Sequence, residues 1–124
     1  MNTLNIGQLA GLAAAIAISL MPPAALAHGK LESAVPASGS TVDVGPESLQ
    51  LNFNERLEPT FSYANVSDAS GAPITKEKAK VDTSDPRVMT VAVPRLATGT
   101  YTVKWGVMTA DAHKTNGTYT FKVK

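Results

Sequence analysis

Cysteine is absent from all 124 residues. That excludes disulfide staples, thiolate metal sites and thiol redox chemistry, so a domain built from this chain must be held by its apolar core alone. Histidine is almost as scarce: the chain has 2, His28 and His113. Charge is sparse and balanced, with 11 Lys and Arg against 10 Asp and Glu for a net charge of +1. Such a balance offers no basic excess to neutralise phosphates, which argues against nucleic acid as a partner. The loose group Lys76, Lys78 and Lys80 reads as a solvated strand or loop rather than an anion site. Helical periodicity is missing as well, since no window of helical length repeats apolar residues every 3.6 positions.

What is present begins with an uncharged apolar run from Leu9 to Met21. The run is too short to span a bilayer as a helix, which takes roughly 20 residues. Pro22-Pro23 breaks it, and Ala25-Leu26-Ala27 then supplies small residues at the two positions a signal peptidase reads. Residues 1–27 are therefore predicted to be a cleaved signal peptide, although Met1 to Gln8 carries no Lys or Arg. The mature chain, 28–124, would then start at His28, be exported without a membrane span, and amount to one domain of roughly 97 residues.

That mature part reads as strands between turns. Leu49, Leu51 and Phe53 alternate with polar residues, as do Tyr101, Val103, Trp105 and Val107, and then Tyr119, Phe121 and Val123. This period of two marks half-buried strands. Weaker strand signals lie at 31–35, 61–67, 79–81 and 88–93. Between the strands stand turn residues such as Pro36 to Ser40, Gly45-Pro46, Ser70 to Pro73, Asp85-Pro86, Thr98-Gly99 and Asn116-Gly117. About seven short strands predict an all-β, antiparallel Greek-key sandwich or barrel of immunoglobulin-like architecture. Trp105 shares the core-facing parity of its strand and is expected to anchor the two sheets. Met89 shares parity with Val91 and Val93 and is expected in the core.

The two histidines fall where one site could use both. Cleavage after Ala27 would give His28 an α-amine as well as its imidazole, and the pair can close a chelate on one ion. An unperturbed α-amine has a pKa of roughly 8, so a metal at neutral pH displaces a weakly held proton. His113 follows Asp111 at a spacing of two, which in extended backbone puts both side chains on one side. Together these residues offer three nitrogens and one carboxylate oxygen. A mixed set of that kind suits tetragonal Cu(II); zinc could use it too, but Cu(II) stands higher in the Irving–Williams order.

A longer pattern surrounds these residues. His28 is followed by Lys30-Leu31 and Ser33, then by Val35-Pro36-Ala37-Ser38-Gly39-Ser40 and by Leu49 to Glu55 (LQLNFNE). Leu96 to Tyr101 (LATGTY), Val103, Trp105, Asp111-Ala112-His113 and Gly117 with Phe121-Lys122-Val123 complete it. In this the whole mature chain resembles the CopC family of periplasmic copper-binding proteins, whose diagnostic pair is a mature N-terminal His and a late Asp-x-His. The resemblance implies a Greek-key barrel and one Cu(II) held by the amine and imidazole of His28 with Asp111 and His113. It implies that Glu55 lies near the copper as a neighbour or occasional ligand. It also implies copper sequestration, or delivery to an inner-membrane transport protein of the CopD kind; the site itself makes no demand beyond a monomer. Two departures stand out. Some members add a methionine-rich Cu(I) site, but beyond residue 27 this chain has only Met89 and Met108, so a Cu(II)-only member is expected. Lys114 follows His113 where members often have an apolar residue or proline.

Two other functions remain open to the sequence. Copper-dependent oxidative enzymes that cleave polysaccharides also use an N-terminal histidine brace on a β-sandwich. Against this, the seven aromatics mostly fit strand interiors, and Asp111 would fill a position that oxygen activation needs open. A metal-free exported interaction module with incidental histidines is the other alternative.

Overall fold

A computed structural model describes residues 29–124. The predicted signal peptide and His28 lie outside the described residues. Among the described residues eight strands form: β1 (Leu31–Val35), β2 (Thr41–Val42), β3 (Ser48–Phe53), β4 (Tyr63–Ser67), β5 (Lys80–Val81), β6 (Val88–Ala92), β7 (Gly99–Met108) and β8 (Lys114–Val123). They make two four-stranded sheets, ordered β1-β3-β6-β5 and β2-β8-β7-β4, so the sandwich form of the expected fold applies. The chain changes sheet at every step from β1 to β5 and once more between β6 and β7. Among the described residues no helix is long and apolar enough to cross a membrane.

Three details depart from the sequence reading. The eighth strand is β2, a two-residue piece too short to show periodicity, and it pairs parallel to β8, so the sandwich is not purely antiparallel. Phe61 belongs to a 3-10 turn at Pro59–Phe61, and the strand after it starts at Tyr63. Asn116-Gly117 is no turn: both residues lie inside β8, with Gly117 opposite Trp105 on β7. The Trp105 indole covers Gly117 so closely that a Cβ there would stand 2.7 Å from Cζ2. The glycine makes room for the ring rather than for a bend.

The alternating residues pack between the sheets as expected. Leu49, Leu51 and Phe53 of β3 and Met89 and Val91 of β6 face Ala64 and Val66 of β4, Val103, Trp105 and Val107 of β7, and Phe121 and Val123 of β8, all buried. Fully burying side chains of this size contributes about 1.5–3 kcal/mol each, enough to hold a disulfide-free domain once conformational entropy is offset. Phe53 meets Trp105 edge to face, with centroids 5.1 Å apart and planes at 72°. Tyr101 stacks on Phe121 at 5.7 Å, and its hydroxyl donates to the Ala97 carbonyl at 2.6 Å, the corner that immunoglobulin-like sandwiches use at this strand.

Tyr119 breaks the rule that buried polar groups are paired, because its buried hydroxyl has no hydrogen-bond partner among the described residues. Burial pushes the phenol up from 10.0 to about 12. The folded chain therefore holds this proton more tightly than the unfolded chain does. The resulting contribution to stability is complete below about pH 10 and is lost as pH rises toward 12. Tyr119→Phe is expected to match or exceed wild-type stability near neutral pH, since an orphaned hydroxyl is removed. Between pH 10 and 12 wild type should lose stability relative to the variant. Urea unfolding of both proteins across that range checks this, and a constant difference would contradict it.

Candidate metal centre

The β7–β8 hairpin places the late acid–imidazole pair. Its ladder runs without a break from Gly99–Val123 to Met108–Lys114 and leaves residues 109–113 as the connecting loop. The Thr109 N–H donates to the His113 carbonyl at 2.8 Å, and the Ala112 N–H donates to the Thr109 carbonyl at 2.8 Å. Ala112 has φ 73°, a left-handed conformation that costs an L-residue roughly 1–2 kcal/mol and usually falls to glycine. Asp111 and His113 are thus not in extended backbone, as their spacing suggested. A tight loop brings them together, with His113 Nδ1 3.1 Å from Asp111 Oδ1. Both side chains are about half exposed, 57% and 50%, so an ion can reach them from solvent. Lys114 is exposed, in keeping with a charge directed away from the pair.

Thr109, which the sequence reading passed over, organises the loop from beneath. It is fully buried. Its hydroxyl donates to Asp111 Oδ1 and accepts the His113 N–H at 3.1 Å. A second segment locks it from outside. Leu57 bridges to Thr109, the Glu58 N–H donates to the Met108 carbonyl at 2.8 Å, and the Ala110 N–H donates to the Arg56 carbonyl at 2.9 Å. A threonine at a strand end looks like an ordinary β-former, so only its burial and its partners reveal the role.

The first described residues lie against this same loop. Gly29 is buried, and a Cβ on it would stand 2.6 Å from Thr115 Oγ1 and 3.3 Å from the Thr109 methyl. The Thr115 hydroxyl donates to the Gly29 carbonyl at 2.7 Å. Lys30 is held by Asn54 from two sides: its N–H donates to Asn54 Oδ1 at 2.8 Å, and its carbonyl accepts the Asn54 N–H at 3.0 Å. Glu55, the further candidate, follows Asn54 at the end of β3 and is half-buried. It does not complete a cage: among the described residues no three His, Cys, Asp or Glu side chains group closely enough to hold a metal ion.

The fold and this end of it define a class: a small two-sheet sandwich presenting a carboxylate–imidazole pair beside its N-terminal segment. The CopC domain family matches residues 31–124, and the chain belongs to that family. It is similar to copper resistance protein C of Escherichia coli, 38% identical with 100% of both chains covered. The crystal structure of CopC from Methylosinus trichosporium OB3b superposes with a TM-score of 0.74 at 34% identity, covering 78% of this chain and 94% of that one. That of PcoC, a methionine-rich copper resistance protein from Escherichia coli, superposes with a TM-score of 0.68 at 38% identity, covering 79% of this chain and 100% of that one.

The clamp on Lys30 gives a direct test. Asn54→Ala removes the side-chain acceptor and leaves the backbone bond in place. It is expected to cost about 0.5–1.5 kcal/mol of stability and to speed amide hydrogen exchange at Lys30 more than in the β7–β8 ladder. Unchanged exchange at Lys30 would show that the segment is held by other contacts.

Proposed function

We propose that this protein is a periplasmic copper-binding protein that holds one Cu(II) at the 109–113 end of the sandwich. Its ligands are the α-amine and imidazole of His28, the Asp111 carboxylate and the His113 imidazole, with Glu55 alongside. The observation that carries this reading is the position of Gly29. The residue directly after His28 packs on Thr109, the same residue that bonds to Asp111 and His113. On this reading the free amine and imidazole one residue upstream complete the pair. The pair itself needs further donors, since the described residues supply no third one to it.

Two further points support Cu(II) as the cargo. The donors are nitrogen and oxygen, which suit Cu(II), whereas Cu(I) favours thioethers. Met89 is fully buried in the core and Met108 ends β7 half-buried, so the described residues group no methionines at the surface. The exposure of Asp111 and His113 suits a carrier that hands its ion on, and an inner-membrane copper transport protein of the CopD kind would be the recipient. Asp111 fills a position that oxygen activation would need open, which favours binding over catalysis.

The reading requires cleavage after Ala27. Protein that begins at His28 should bind one Cu(II) per chain. Adding a single residue before His28 moves the amine and keeps every side chain, so affinity should fall by more than tenfold, equivalent to about 1.4 kcal/mol. His113→Ala should also weaken binding by more than tenfold, and Glu55→Gln by less than either change. Competition titrations against one chelator measure all four proteins. Equal affinity in the extended and the processed chains would rule out the amine as a ligand.

A further inference from the structure

We infer that the Thr109 hydroxyl is the positioning group of the metal site: it holds the Asp111 carboxylate and the His113 backbone in the ligating arrangement before any ion arrives. The inference rests on the copper-site reading above. Asp111 and His113 sit on a five-residue loop, half exposed, where a carboxylate would otherwise turn among several rotamers. Every polar atom of Thr109 is spent on that loop. Its hydroxyl serves Asp111 Oδ1 and the His113 N–H, its own N–H serves the His113 carbonyl, and its carbonyl accepts the Ala112 N–H. Thr109 is also fully buried and bridged to Leu57, so the hydroxyl acts from the one loop residue that is anchored in the sandwich.

The directions of these bonds matter for metal binding. The hydroxyl donates to Asp111 Oδ1, the same oxygen that lies 3.1 Å from His113 Nδ1, so one carboxylate oxygen is fixed from both sides. On its other side the Thr109 methyl meets Gly29. One side chain thus touches both halves of the site, the hydroxyl under the late pair and the methyl under the segment that carries His28. Partners that orient metal ligands in this way typically change affinity by 10–100-fold when lost.

Thr109→Val keeps the β-branched shape and both γ positions while removing only the hydroxyl. With Cu(II) alone as the probe, its affinity should fall about 10–100-fold, and the electron paramagnetic spectrum should broaden as the carboxylate samples more than one pose. Thr109→Ser, which keeps the hydroxyl, should bind within about threefold of wild type by the same reasoning. In an Asp111→Asn background the Val change should have little added effect. If Thr109→Val fails to fold, Thr109→Ser and Thr109→Ala decide the matter, since they differ only in the hydroxyl: Ser binding at least about tenfold tighter than Ala supports the inference. Equal affinity of wild type and Thr109→Val, or of Ser and Ala, overturns it. Absence of Cu(II) binding by the wild-type chain beginning at His28 would instead overturn the copper-site reading itself.

Discussion

The ladder between β7 and β8 is the constraint from which the rest follows. Ten successive pairs, from Gly99–Val123 to Met108–Lys114, fix which side chains of both strands enter the core and where the chain must turn back. Because side-chain direction alternates along a strand, a slip of one residue by β8 would move Tyr119, Phe121 and Val123 to solvent together. The same slip would change the length of the loop that carries Asp111 and His113. Core packing and site geometry therefore depend on one register, and the Trp105 ring seated over Gly117 admits no bulkier residue at that point of the ladder.

At the open end of this hairpin, three separate stretches of chain are joined by short hydrogen bonds. The N-terminal segment is tied to β8 through Thr115 and to the end of β3 through Asn54. The stretch at 56–58 braces the outside of the loop. These contacts brace the exposed loop, and they hold Ala112 in a conformation it would not choose alone. Strain of that kind persists where the surroundings over-determine it, commonly at functional sites. In the proposed site it aims a carboxylate and an imidazole at one point.

Much of this was legible in the residues. Strict alternation in β3, β7 and β8 pointed to the correct faces, and Trp105 and Met89 are in the core where their parity placed them. The scarcity of histidine drew attention to His113, which lies 3.1 Å from Asp111 on the 109–113 loop. Other features had no local signal. The strand β2 is two residues long and gains its pairing only from β8. Asn116-Gly117 has the composition of a turn, and only the indole across the ladder explains the glycine. The loop at 109–113 lacks the Gly or Asn that usually marks a left-handed position, so its turn was hidden behind Ala112. Thr109 was missed for a related reason: its importance lies in burial and in partners on the far side of a turn, neither of which a sequence displays.

The central claim is that processing completes a metal site that the rest of the chain holds ready. The most direct measurement is a crystal structure of the chain beginning at His28, loaded with Cu(II) and phased so that anomalous scattering locates the metal. One copper should appear beside the 109–113 loop, within bonding distance, roughly 2 Å as for comparable divalent ions, of the terminal amine, the His28 imidazole, Asp111 and His113. A copper seated elsewhere, or at this end without the amine among its ligands, would contradict the claim.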